Sequence, residues 1–388
     1  MSRTLDTRTI AAFLEPRHLE IAGEIADFAE ATIAPLATTD DDQEARAQAR
    51  EILGLLGEAG WCRYAVPAAY GGTLNKVDSI ACCLIRDALA AASPLADSVF
   101  ALQCLGSLPI ALHGSEELRG HWLPKVAAGS AMAGFAMTEP GAGSDAKAMT
   151  TVARRTADGY ELTGHKIFIT NAGLADFYST FARNDGREDL SCVVVAADAP
   201  GCRFTAAQVL SAPHPLGEIA FEGCRLPESA RLGEEGDGFD IAMETLSRLR
   251  ATVAAAACGM ASRALAEARA HAQQREQFGR PLARFQLIQQ KLATMATGLA
   301  ASRLLTYRAA RAALDGDDDV MFRSAMAKLQ ATETAQGVVD QAVQILGGAG
   351  VLKNHPVDQL YRSVRALRIY EGTSEIQQLV IARELLRS

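Results

Sequence analysis

The stretch YELTGHKIFITNAGLADFYSTFAR, residues 160–183, sets short runs of β-branched and aromatic residues between Gly, Asn and Asp, the texture of strands joined by turns. Its neighbours share it: FAMT at 135–138, TVARR at 151–155 and CVVVAA at 192–197. Residues 131–235 are therefore expected to form a β domain. On either side the period changes. From about residue 17 to 130 apolar residues recur at three and four, as in Ile21, Ile25, Phe28, Leu53 and Leu56, with a break at Gly71 and Gly72. After Gly236 long helices are expected near 238–272, 282–314 and 318–346, interrupted at 275–281 and 347–350, with a shorter one after Ser374. Helices, then strands, then a bundle of long helices is an α+β layout, with domains expected at 1–130, 131–235 and 236–388.

A chain of 388 residues is long enough for two or three cores, and 49% hydrophobic with 22% charged residues is a globular composition. The balance of 38 basic against 46 acidic side chains, with no long Lys/Arg run, argues against nucleic acid as a partner. Eight cysteines (Cys62, Cys82, Cys83, Cys104, Cys192, Cys202, Cys224, Cys258) form no CxxC pair and sit mostly in apolar stretches, which fits a reducing compartment such as the cytoplasm. The first residues carry Asp6, Glu15 and Glu20 and no apolar core of signal-peptide length, so no secretion signal is expected. The alanine-rich run around 251–261 is about half of the roughly 20 residues a membrane helix needs and reads as a buried helix, so no membrane is expected. His113, His214 and His355 stand alone, outside any HxxxH or His/Cys cluster, so no metal site is expected. The GxSxG elbow, the GxxxxGK[ST] loop and a strand-linked GxGxxG are absent.

Three segments carry polar residues that packing alone would not choose. In TEPGAGSDA, 138–146, Gly141, Ala142 and Gly143 with two hydroxyls let backbone amides approach a flat or anionic ligand; local composition alone favours an ordinary Gly-rich turn between strands. In HKIFITNAG, 165–173, Phe168 and Thr170 alternate onto one side of a strand, where a ring beside a hydroxyl suits a heterocycle; a half-buried strand is the plain alternative. In RIYEGTSEIQQLVIARELL, 368–386, Thr373 or Ser374 caps a helix whose Ile376, Leu379 and Ala382 share a face. Glu371 just before that cap would feel the helix dipole, which by itself is only a charge near a helix start.

Taken in order, LPIALHGSEELRGHWLP (108–124), TEPGAGSDA, FITNAG, REQFGRPLARFQLIQQKLA (275–293), AVQILGGAG (342–350) and YEGTSEIQQLVIARE (370–384) closely resemble the acyl-CoA dehydrogenase family over nearly the whole chain. The resemblance implies a helical N-terminal domain, a middle β-barrel-like domain and a C-terminal four-helix bundle. It implies FAD, contacted by Phe135, Met137, Thr138, Gly143, Ser144, Phe168, Ile169 and Thr170, with Thr170 bonding the hydride-accepting nitrogen. Further FAD contacts implied are Arg275, Phe278, Gln286, Gln344, Ile345, Leu346, Gly347 and Gly348, reaching a neighbouring subunit's cofactor in a homotetramer or homodimer, and Thr373, Ser374 and Glu375. Arginine suits such a place because its fork meets a phosphate at two oxygens. The acyl-CoA substrate is expected to touch Ser144, Ser247, Arg250 and Gly372, and an electron-transfer flavoprotein to take the electrons onward.

By the same resemblance Glu371 is the catalytic base, removing the α proton of the thioester as hydride leaves the β carbon. Some members instead carry the glutamate just before an arginine matching Arg250; Leu249 stands there, and leucine abstracts no proton. Phe168 replaces a common Trp, and Ser247 and Ser363 replace common Asp residues. Bulky residues of 97–105, Phe100 and Leu102 among them, are candidates to shorten an acyl pocket. Acyl-CoA oxidase activity, or a non-catalytic FAD- or acyl-binding subunit, are the alternatives.

Overall fold

The computed structural model describes residues 5–353 and 355–387. The main elements follow in chain order: α1 (Pro16–Phe28), α2 (Asp42–Glu58), α3 (Ser79–Ala92), α4 (Pro94–His113), α5 (Glu116–Ala127); β1 (Ala133–Ala136), β2 (Val152–Thr156), β3 (Gly159–Thr170), β4 (Phe177–Asn184), β5 (Leu190–Ala196), β6 (Cys202–Ala207), β7 (Leu216–Pro227), β8 (Arg231–Leu232); α6 (Gly238–Gln274), β9 (Glu276–Gln277), β10 (Arg280–Pro281), α7 (Gln286–Asp315), α8 (Val320–Leu346), α9 (Pro356–Val364) and α10 (Ser374–Arg387). Helical, β and helical regions thus fall where the periodicity puts them. By packing, the chain groups into two units: one of residues up to 37, 79–97 and from 247 on, the other of 38–78 and 98–246.

In the second unit one sheet runs in the order β6-β7-β3-β2-β4-β5-β8, and β1 pairs in parallel with β4. Its inward residues, Tyr160, Leu162, Ile169, Tyr178, Val193, Val195, Ile219 and Phe221, build one core. Two helices of this unit begin on side-chain caps: Asp41 accepts from the Gln43 and Glu44 amides at 2.8 and 3.0 Å, and Ser115 from Leu118 at 3.2 Å. The simple alternation expected for HKIFIT is broken. Register against β7 slips between Lys166 and Ile169, and Phe168 sits at φ +55°, so a bulge rather than a straight strand turns its ring outward.

The first unit is built on long helices rich in alanine. Small residues let their axes come close: a Cβ on Gly259 of α6 would stand 2.1 Å from the Asp87 carbonyl oxygen of α3. The run 251–261 is buried in α6 as expected. Among the described residues one helix, α4, is long and apolar enough to cross a membrane by length and composition, and 78% of its most apolar window is buried, as in a core helix. α10 departs from expectation. It buries Ser374 and Gln377, whereas Leu379 is 61% exposed and Ala382 is exposed, because its inward contacts are hydrogen bonds and the apolar side is left uncovered.

Candidate active site

The residues around Glu371 belong to the first unit. Thr373 is the cap of α10: its Oγ1 accepts from the Ile376 amide at 3.3 Å and its carbonyl from Gln377 at 2.9 Å. Ser374, the other candidate, instead donates to Glu333 Oε1 of α8 at 2.5 Å, and Arg368 holds the same carboxylate at 2.7 Å. Between these anchors the chain turns through two left-handed residues, Glu371 at φ +53° and Gly372 at φ +88°. Glycine takes this conformation freely, but a glutamate there stores about 1–2 kcal/mol, a strain typical of functional positions. Lys328 of α8, fully buried, donates to the carbonyls of Tyr370 at 2.8 Å and Gly372 at 2.5 Å. Gln377 Nε2 donates to those of Glu371 at 3.3 Å and Gly372 at 2.9 Å.

The Glu371 carboxyl is buried at Oε2, and that oxygen has no hydrogen-bond partner among the described residues. Burial raises its pKa above the ordinary carboxylate range, and Asp97 adds to this, while Arg86, Lys328 and Arg250 act the other way. Of these cations, Arg86 of α3 is committed to both oxygens of Asp97 at 2.7 and 2.9 Å and to Thr252 at 2.9 Å. Arg250 of α6 reaches Ser324 at 3.3 Å, and its Nε, like the hydroxyl Ser247 Oγ on the same helix, is buried with no hydrogen-bond partner among the described residues. Burial pulls Arg250 below the usual guanidinium range and Lys328 down to about 8. Leu249 is buried and offers no proton acceptor. Glu375 is exposed on the first turn of α10.

The second unit carries the other cluster of expected residues. Glu139 and Ala142 exchange backbone hydrogen bonds at 3.0 and 3.1 Å, making the expected turn of TEPGAGSDA. The turn does not itself demand its glycines. Neither Gly141 nor Gly143 has a positive φ, and a Cβ at either would meet nothing within 4 Å. The open backbone there, with exposed Ser144, fits close approach by a flat or anionic group. The Phe168 ring is 57% exposed and its amide donates to Gln208 at 2.7 Å. Ile169 is core, Phe135 packs on Phe181 at 4.9 Å between centroids, and Thr170 Oγ1 lies 3.4 Å from His214 Nε2. Desolvation pushes His214 down to about 4, so its ring is neutral.

Sequence reasoning missed what ties these loops together. Glu139 and Lys166, both buried, pair at 2.8 Å, and Lys166 also donates to the Met137 carbonyl at 3.1 Å. Glu139 further accepts from the Thr150 amide and hydroxyl and from the Thr151 amide, while Ile167 donates to the Thr138 carbonyl at 2.9 Å. The available signal was a lysine inside an apolar strand run and a glutamate in a turn, each commonplace on its own.

The remaining expected cofactor residues lie in the first unit. Arg275 is exposed just before the β9–β10 hairpin, Phe278 at its tip is 93% exposed at φ +52°, and Gln286 is exposed at the start of α7. After α8, Gly347 and Gly348 have open space where a Cβ would be, and Gln344 is exposed. The side chains of Ile345 and Leu346 are core, leaving only their backbone to a ligand. An exposed ring and an arginine on one segment and open glycine backbone on another are groups that fit parts of a flavin dinucleotide.

Three family models match in succession: the acyl-CoA dehydrogenase N-terminal domain at residues 15–130, its middle domain at 134–224 and its C-terminal domain at 236–386. A probable acyl-CoA dehydrogenase of Mycobacterium leprae is 38% identical over 379 residues, 96% of each chain. Among solved structures, butyryl-CoA dehydrogenase of Megasphaera elsdenii superposes with a TM-score of 0.90 at 33% identity, covering 96% of this chain and 99% of that one. An acyl-CoA dehydrogenase of Bacillus anthracis complexed with FAD gives 0.88 at 30% identity, covering 96% and 67%. FAD is the cofactor of this group of enzymes. A buried, orphaned glutamate in YEGTSEI, an open TEPGAGSDA turn and full-length matches of sequence and fold all agree: the chain belongs to the acyl-CoA dehydrogenase family.

Proposed function

We propose that this chain dehydrogenates an acyl-CoA thioester to the 2-enoyl-CoA, with Glu371 as the base that removes the α proton. The observation that carries the reading is the state of that carboxyl: buried, strained in its backbone, raised in pKa, and unbonded at Oε2. A structural carboxylate is bonded by its neighbours, as Glu139 and Asp97 are. An unbonded one costs about 1–3 kcal/mol and is retained where an incoming group uses it. The α proton of a thioester is too weakly acidic for water, so it needs a positioned base of raised pKa and a donor for the developing enolate oxygen. The Glu371 N–H, which bonds no carbonyl among the described residues, is that donor. Ser247, Arg250, Gly372 and Ser144 hold the acyl-CoA.

FAD, when bound, supplies the two-electron acceptor for the hydride leaving the β carbon. Phe135, Met137, Thr138, Gly143, Ser144, Phe168, Ile169 and Thr170 hold its ring, with the Thr170 hydroxyl at the ring edge and the Phe168 face against it. Arg275, Phe278, Gln286 and the stretch 344–348 hold the distal part of a cofactor in a second subunit; a phenylalanine 93% exposed in one chain supports that assignment. Leu379, Leu385 and Leu386, uncovered on α10, support a homodimer or homotetramer. The electrons pass to an electron-transfer flavoprotein in fatty-acid metabolism, in a reducing compartment, the cytoplasm, consistent with eight cysteines that form no disulfide among the described residues.

The test is anaerobic bleaching of the bound flavin by butyryl-, octanoyl-, palmitoyl- and branched or aryl acyl-CoA. Reduction by at least one thioester is expected, and a flavin that none of them bleaches removes the dehydrogenase reading. Glu371→Gln is expected to give a folded, yellow protein whose flavin reduction falls by about 10²–10⁴-fold. Reduction at a near wild-type rate would put the base elsewhere.

A further inference from the structure

Tyr370, Glu371 and Gly372 present three consecutive carbonyls, and side chains with no solvent exposure hold all three. Lys328 bonds the first and third, at 2.8 and 2.5 Å, and Gln377 bonds the second and third, at 3.3 and 2.9 Å. A capped helix start does not need this: Thr373 already serves α10. Spending a buried ammonium on backbone carbonyls is costly, because the cation leaves water for partners that carry no full charge. The cost has a local return. Glu371 stands at φ +53°, where an unrestrained glutamate would relax to the right-handed or extended region and carry its carboxylate elsewhere.

The charged groups facing Glu371 come from four helices: Arg86 on α3, Asp97 on α4, Arg250 on α6 and Lys328 on α8. Glu333 and Glu375 act on Lys328 more weakly than Glu371 does. Arg86 is neutralised by its two bonds to Asp97, and Arg250 reaches Ser324. Among the described residues, Lys328 is the cation whose bonds reach the backbone on both sides of the glutamate.

We propose that Lys328 is a positioning residue for Glu371: its ammonium clamps the flanking carbonyls so that the left-handed turn aims the carboxylate, and its charge favours the ionised form that accepts a proton. The proposal rests on the reading of Glu371 as the base. Gln377 completes the clamp without contributing charge.

The experiment follows flavin reduction in the FAD-loaded enzyme by rapid mixing without oxygen, across pH, with whichever of butyryl-, octanoyl- and palmitoyl-CoA reduces wild type fastest. Lys328→Met keeps the length and apolar bulk and removes the donors and the charge. It is expected to retain FAD, to reduce it about 10–100-fold more slowly, as displacement of a reacting group does, and to move the acid limb of the rate profile up by about one pH unit, since a nearby cation no longer favours the carboxylate. Gln377→Leu is expected to slow reduction to a comparable degree with the acid limb unmoved. A folded Lys328→Met whose rate stays within about threefold of wild type, or whose acid limb does not move, overturns the proposal. Should that variant fail to fold, Gln377→Leu decides: a rate within about threefold of wild type overturns the clamp. Activity in Glu371→Gln would instead remove the base assignment, a failure distinct from that of Lys328.

Discussion

Lys166→Met tests whether the buried pair under the TEPGAGSDA turn is there for stability or for position. Glu139 loses by burial but is held down to about 2 by Lys166 and its Thr150 and Thr151 donors, against an ordinary 4.5. A carboxyl so depressed contributes roughly 3 kcal/mol of stability, present above pH 4.5 and lost as pH falls towards 2. Lys166 runs the other way. Burial pulls it to about 8 from 10.5, which at neutral pH costs roughly 3 kcal/mol because the unfolded chain binds that proton more readily. The two nearly cancel, so the intact pair adds little net stability, and its worth lies in fixing Met137 and Glu139 beside the open turn. Removing one partner is a different matter. Lys166→Met strands a buried carboxylate and is expected to cost about 3–5 kcal/mol, a Tm lowered by about 6–20 °C. Glu139→Gln combined with Lys166→Met removes both charges, keeps one amide oxygen to accept from a threonine amide and should cost less than about 2 kcal/mol. Differential scanning calorimetry at pH 7 measures these two variants and Glu139→Gln alone, with the 450 nm absorbance per chain reporting retained flavin. A double variant as unstable as the sum of the two single changes would refute the reasoning, because the strongly coupled pair inferred from 2.8 Å and full burial would then not exist.

Three further outcomes are expected. Because burial raises Glu371 above the ordinary carboxylate value, the base form is lost as pH falls through that raised pKa; the acid limb of kcat/KM should lie above pH 4.5, and a limb at or below it would place the carboxyl in water. Gly143→Val should leave the unfolding free energy of the flavin-free protein within about 0.5 kcal/mol of wild type, since nothing lies within 4 Å of its Cβ, yet lower the FAD content; full FAD occupancy would return the glycine to an ordinary turn. Phe278→Ala removes a ring 93% exposed in one chain, so the stability of the single chain should not change while flavin retention and subunit association, followed by absorbance and analytical ultracentrifugation, both fall; unchanged values would leave that ring without a partner.

What the sequence made legible and what it hid divide along one physical line. Helices and strands announced themselves because burying one face imposes a period, and the helical, β and helical regions of the structure follow it. Glu371 was legible only through the order of the motifs around it, since a glutamate before a helix cap has no local property to distinguish it. Hidden were the contacts that bridge long separations. Lys328 lies 44 residues from Gly372 and Lys166 lies 27 from Glu139, and each reads in isolation as an ordinary charge on a helix or strand. The bulge at Phe168 was hidden for the same reason: alternation in HKIFIT promised a straight strand, whereas the turn of the ring depends on how β3 meets β7. α10 misled through its apolar residues, because periodicity marks a face to be covered without saying what covers it. The four non-glycine residues with positive φ among the described residues sharpen this. Phe168, Asn171, Phe278 and Glu371 each sit in one of the three motif segments or in the hairpin between β9 and β10, and three of them are residues already singled out for flavin or base. None has the glycine that a turn would select, so the side chain is wanted at a backbone cost. Such positions are kept when the surroundings over-determine them, as the clamp does for Glu371, and that makes the strained backbone and the buried groups that enforce it two views of a single device.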